Sequence, residues 1–302
     1  MTTRAHGDGG VEVVEYTDPL CPWAWGSEPV FRRLRAGLAG KVTWRRVYCV
    51  LFDDDDDPAP DPAAETAWYA RYVAEVGGHT GAPRAERLAR VAASSWPASL
   101  LARAAERQGA EVAERVLRRL RETVFVLGEP ADTHGLALAA VRGLPGLDAE
   151  RLAADAAGAE VLDAVRADRA EARRPVPEVL SVADASPHPG AAKETDDGGY
   201  RYALPTVLFR GARGCRAVPG WRPFEAYAAA VEAVSPGLRP DTGTPSAAEA
   251  LERYRSLTEP ERAVYARGPW PPAGAVRVDT AGGPLWLHPD EAAVHPAVAP
   301  RP

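Results

Sequence analysis

The stretch Asp18-Pro-Leu-Cys21-Pro22-Trp23-Ala24-Trp25-Gly26 constrains this chain more than any other. It follows Val11-Glu-Val-Val-Glu-Tyr16, an alternating β-branched run that reads as a strand. It opens a helical pattern predicted over 22–38, with Pro22 at the first helical position, where a missing N–H costs nothing. Val30, Phe31, Leu34 and Leu38 share one face of that helix, and Arg32, Arg33 and Arg35 are expected to point away from it. Gly40 ends the helix, and Val42 to Leu51 reads as a second strand. Strand, helix, parallel strand is a right-handed βαβ unit.

Cys21 therefore sits at a strand-to-helix junction, facing unpaired N–H groups and the positive end of a helix dipole. A thiolate there is expected to be stabilised, its pKa falling from about 8.5 toward ~3.5–7.5. A Cys-x-x-Cys pair would place its second thiol at position 24, where Ala24 stands. Internal resolution of a mixed disulfide is thus missing, and release would need an outside thiol.

From Ala63 to about Ala183 apolar residues recur every three or four. Breakers at Gly77-Gly78, Pro97, Gly128-Glu-Pro130, Gly143-Leu-Pro145 and Pro175 divide this block into five or six helices. Leu204-Pro205-Thr-Val-Leu-Phe209 and Cys215-Arg-Ala-Val218 flank a hairpin signal at Gly211-Ala-Arg-Gly214, and a helix follows from about Pro223 to Val234. Ser235 to Ser246 reads as a linker. Ala247 to Ala263 reads as helical, and Val276–Val278 with Pro284–Leu287 as a hairpin after it. This end reads as a packed extension, with a small winged-helix-like module as the other reading.

The segment Thr17 to Trp25 resembles the active site of the DsbA-like branch of the thioredoxin superfamily, closest to its FrnE-type and SpxH-type members. Ala203-Leu-Pro205-Thr-Val-Leu-Phe209 matches the strand after the cis-proline of that fold, and Ser94-Ser-Trp-Pro-Ala98 is similar to the SpxH-type group. The resemblance covers roughly residues 11 to 234. It implies an α/β thioredoxin fold with a large all-helical insertion and a small C-terminal extension. The divisions expected are 11–62 (βαβ), 63–190 (insertion, a lid over the cysteine), 191–235 (ββα) and 236–302 (linker and extension). Pro205 is expected to be cis, leaving the backbone groups of Leu204 free to hold an extended substrate. Cys21 is the expected catalytic residue, with Pro22, Trp23, Leu204 and Pro205 binding substrate.

The activity implied is a DsbA-family thiol-disulfide oxidoreductase or isomerase working through one thiol, with glutathione or mycothiol as co-substrate and no tightly bound cofactor. Mycothiol enters because a chain rich in alanine and arginine, with Lys41 and Lys193 its only lysines, reads as the product of a GC-rich genome. The alternative is non-catalytic: an SpxH-like protease adaptor that binds a protein client. A third is a glutathione-dependent isomerase of the 2-hydroxychromene-2-carboxylate type, although those proteins usually carry serine where Cys21 stands.

A net charge of −6 leaves no footprint for nucleic acid or an anionic membrane. Met1 to Gly10 is polar without an apolar signal segment, and the chain has three cysteines, so a reducing cytoplasm is the expected setting. Asp53 to Asp57 reads as a solvated loop rather than a cation site, because it lacks alternating ligands and a glycine turn. His79 and His134 read as turn or cap residues, Cys49 and Cys215 as packing residues, and Ser94, Ser95 and Trp96 as lining the lid.

Overall fold

The computed structural model describes residues 10–55, 59–265 and 267–299. β1 (Val11–Thr17) leads through α1 (Pro22–Gly26) and α2 (Glu28–Gly37) to β2 (Val42–Tyr48), which pairs with β1 in parallel, Val11 opposite Val42 and Thr17 opposite Tyr48. The helix expected over 22–38 is broken at Ser27. Pro29 stands in the first turn of α2, where it has no N–H to give the preceding turn. Gly26 lets this corner approach the insertion, since a Cβ there would meet the Thr80 side chain.

The insertion runs through α3 (Pro62–Thr80), α4 (Trp96–Ala105), α5 (Ala110–Phe125), α6 (His134–Val141), α7 (Ala149–Ala156) and α8 (Ala159–Ala172). A small ribbon, β3 (Lys193–Glu194) with β4 (Tyr200–Arg201), precedes β5 (Thr206–Gly211), β6 (Gly214–Pro219) and α9 (Phe224–Val234). The main sheet has the order β2-β1-β5-β6, with β5 antiparallel to β1 and β6. Two apolar layers cover it. Phe31, Leu34, Val207, Phe209, Tyr227 and Val231 pack on the side of α2 and α9. Tyr16, Cys21, Trp23, Val47, Tyr202 and Leu208 pack on the other, facing the insertion.

The helix expected over 247–263 is interrupted at Arg255, whose φ is 63°. The segment instead forms α10 (Ala247–Tyr254), β7 (Ser256–Thr258) and α11 (Glu259–Val264). β8 (Val276–Val278) and β9 (Leu285–Leu287) complete a sheet of order β7-β9-β8, and α12 (Pro289–Ala292) follows.

The arginines of α2 depart furthest from expectation. Arg32 is buried, pairs with Glu261 of α11 at 2.7 Å and donates to the Ser256 carbonyl at 2.9 Å. Arg35 bonds Glu28 at 2.5 Å and Glu15 at 3.2 Å. Arg121 of α5 bonds Glu28 and, at 2.8 Å, the Thr17 hydroxyl. Arg118 and Glu122, 2.7 Å apart, meet Ser256 and His295. A charged layer thus joins the sheet domain, the insertion and the C-terminal segment. Its ions are paired and hydrogen-bonded, as burial requires. Asp53 departs too: it is buried and bonds Arg169, Arg173 and the Trp96 indole, so the aspartate run is solvated only in part. Asp56 and Asp57 lie outside the described residues.

Candidate active site

Cys21 caps the N-terminus of α1 with extended backbone (φ −88°, ψ 119°), and the peptide between Leu204 and Pro205 is cis. The structure brings Cys21 to the segment before β5: the thiol donates to the Leu204 carbonyl at 3.6 Å. Trp23 lies beside it, 5 % exposed, its indole N–H donating to the Tyr72 hydroxyl at 2.8 Å.

His188 completes this corner. Its ring stacks on Trp23 at 4.9 Å, and its Nε2 is 2.9 Å from the Leu204 carbonyl oxygen. Because the partner is a carbonyl, Nε2 carries the proton and donates. The loop holding His188 is tightly fixed. Its carbonyl accepts from Trp221 N at 3.0 Å, and Ser186 Oγ donates to the Trp221 carbonyl at 3.0 Å. Gly190 and Gly220 pass so close that a Cβ on either would strike the other segment's backbone. Burial pushes the His188 pKa down to about 4, so the ring is neutral near pH 7. His79, expected only as a turn or cap residue, also stacks toward Trp23, at 6.1 Å.

Two expectations about this site are corrected. The thiol is not poised as a thiolate. Burial pushes its pKa up to about 11, and the backbone N–H groups of Ala24 and Trp23, which favour the anion, do not offset that. The helix behind those groups is only five residues long, and the sulfur's residue is 3 % exposed. Asp18 adds to the rise. Nor are the backbone groups of Leu204 both free, since its carbonyl already accepts from Cys21 and His188.

Asp18 is fully buried and accepts from Leu20 N and Leu51 N, each at 2.8 Å, and from the Ser95 hydroxyl at 3.0 Å. Burial still pushes its carboxyl up to about 6. Ser95 thus sits beneath the cysteine loop and ties it to the insertion; it does not line a groove. Trp25 is core, stacked near Phe125 and beneath Arg118. Cys49 is buried with its sulfur 3.4 Å from the Val47 carbonyl, while Cys215 is exposed on β6. His134 opens α6.

A family model described as thioredoxin matches residues 15–174, more than half of the sequence. The chain belongs to the thioredoxin family. It is similar to the ClpXP adapter protein SpxH of Shouchella clausii, 29% identical over 171 residues that cover 52% of each protein. The chain thus spans about half the length of that relative. Three solved structures share the fold. A protein from Nitrosomonas europaea assigned as a disulfide isomerase gives a TM-score of 0.56 at 14% identity, covering 74% of this chain and 96% of that one. The cytosolic disulfide reductase DsbM of Pseudomonas aeruginosa gives 0.50 at 16%, covering 74% and 93%. A protein from Streptomyces coelicolor assigned as a DsbA oxidoreductase gives 0.50 at 19%, covering 78% and 94%. Among the described residues, no helix is long and apolar enough to cross a membrane.

Proposed function

We propose that this DsbA-like chain works as a client-binding protein, holding a polypeptide at the buried corner of Cys21, Pro22, Trp23, Leu204 and Pro205 when His188 swings off it, without cycling a dithiol. One observation carries the reading. The single thiol is buried, bonded to the Leu204 carbonyl and pushed toward its protonated form, and the position that would resolve a captured disulfide is Ala24. The similarity to an adapter protein supports the same reading.

A second reading is favoured by the N–H groups of Trp23 and Ala24 directed at the sulfur beside the cis Leu204–Pro205 bond. In that reading Cys21 is a single-thiol oxidoreductase or isomerase. Its thiolate attacks a client disulfide, one client sulfur joins Cys21, and the other leaves and takes up a proton. An outside thiol such as glutathione or mycothiol then attacks the new bond, carrying off the client sulfur as a fresh disulfide and returning Cys21 to the thiolate.

The two readings separate in one experiment. Wild type and Cys21→Ser are given a glutathionylated peptide with excess glutathione. Client binding predicts equal, background-level deglutathionylation by both proteins. Turnover by wild type that Cys21→Ser abolishes would establish the single-thiol enzyme instead.

A further inference from the structure

We propose, resting on the client-binding reading, that the slot filled by His188 is a receptor for a histidine side chain of the client, with His188 as its built-in occupant. The Trp23 ring forms one wall, 4.9 Å from the imidazole and within 11° of parallel to it. The Leu204 carbonyl lies 2.9 Å from Nε2. Trp221 stands near, its ring 6.2 Å from that of Trp23. The slot reaches solvent, since His188, Tyr72 and Trp221 are only part-buried and His79 is exposed.

The ring and its loop are held by different contacts. The loop hangs from the residues after β6: Arg222 pairs with Asp184 at 2.8 Å and donates to the Pro189 carbonyl at 2.7 Å, and Trp221 N donates to the His188 carbonyl. The ring has the stack and one hydrogen bond. Rotation of the His188 side chain therefore empties the slot while the loop keeps its anchors. A second imidazole can reproduce both of the contacts that are lost.

The walls select what enters. With His188 away, the Leu204 carbonyl keeps only the thiol of Cys21, a weak donor, so the entering group has to donate there. It has also to be flat, to stack on Trp23. Phenylalanine brings the ring without the donor, and asparagine the donor without the ring. Tyrosine and tryptophan carry their donors on larger rings than the one seated in the slot. Arginine is flat and donates, but it is charged. Burial, and then the positive charges of Lys193 and Arg222, already push the His188 ring toward its neutral form. Neutral histidine meets all of these conditions, and the bond from the thiol to Leu204 is undisturbed.

The test uses the full chain, as wild type and as His188→Gly, near pH 8, where histidine is neutral. Labelled pentapeptides of glycine and serine carry histidine, phenylalanine or arginine at the centre, and binding is read by fluorescence anisotropy. His188→Gly should bind the histidine peptide saturably and the other two about fivefold more weakly. Wild type should keep that order at roughly five- to 150-fold lower affinity, because its own ring competes. Free imidazole gives a second reading. Cys21 should be alkylated faster in His188→Gly than in wild type, and saturating imidazole should slow it again about fivefold without changing the rate at Cys215. Cys49 should stay unreactive, which shows the variant folded; if it reacts, the order of peptides on wild type decides. Tighter or equal binding of the phenylalanine or arginine peptide would overturn the histidine receptor and leave client binding standing. Binding of no peptide to either protein would overturn both. Alkylation of Cys21 that imidazole does not slow in the folded variant would overturn the slot itself.

Discussion

His188 is the lever on which access to Cys21 turns, and His188→Ala measures it. The substitution removes the stack on Trp23 and the hydrogen bond to the Leu204 carbonyl. An aromatic pair contributes ~0.5–1.5 kcal/mol beyond its burial. A neutral hydrogen bond contributes a further ~0.5–1.5 kcal/mol. Together they hold the corner closed by about 1–3 kcal/mol, so its open population should rise roughly five- to 150-fold. The assay is the rate of Cys21 alkylation by iodoacetamide, followed peptide by peptide in a mass spectrometer. Cys215→Ser serves as background, because Cys215 is exposed and would react first. His188→Gln keeps a donor without the aromatic ring and should fall between. An unchanged Cys21 rate would refute the reasoning. So would equal acceleration at buried Cys49, which would mean general loosening.

Ala24→Cys should supply the absent resolving thiol; mixed disulfides formed at Cys21 should then fail to accumulate on non-reducing gels, whereas wild type retains them. Acid should loosen the His188 loop. The folded pKa of about 4 lies below the ordinary value near 6.5, so the unfolded ring takes its proton first. The stability held by the neutral ring is therefore complete above pH 6.5 and lost between 6.5 and 4, roughly 3 kcal/mol in all. Amide exchange at Ser186, His188 and Gly190, corrected for intrinsic rates, reads this directly. Arg121→Ala removes one of three arginines that hold buried Glu28, and the partner of the Thr17 hydroxyl, and should lower stability by about 1.5–3 kcal/mol, read as a fall in urea midpoint.

The residues that announce themselves locally were legible in the sequence. The Cys21-Pro22 seam, the alternation of 11–16 and the glycines of the β5–β6 hairpin each carry their own conformational reason, and the parallel β1–β2 pairing followed from them. The break at Ser27 was written in Pro29 but hidden by a helical pattern that continues across it. His188 was not legible, because Ser-Pro-His-Pro-Gly looks like any turn until Gly190 and Gly220 press it against the residues after β6. Arg32 of α2 was misread for a related reason: its partners Ser256 and Glu261 come more than two hundred positions later. The sign of the Cys21 shift failed on the same ground. A helix end favours the thiolate locally, but burial by His188, Trp23 and the insertion is a tertiary fact, and it dominates.

The most direct measurement is the ionisation of Cys21 itself, followed by thiolate ultraviolet absorbance in a Cys49→Ala, Cys215→Ser chain. A thiol pKa of about 11 leaves roughly 3 in 10⁴ ionised at pH 7.5, against about one in ten for an unperturbed thiol, some three hundredfold fewer. A midpoint above ~10 is the predicted result. A midpoint at or below the ordinary ~8.5 would contradict the closed, protonated thiol.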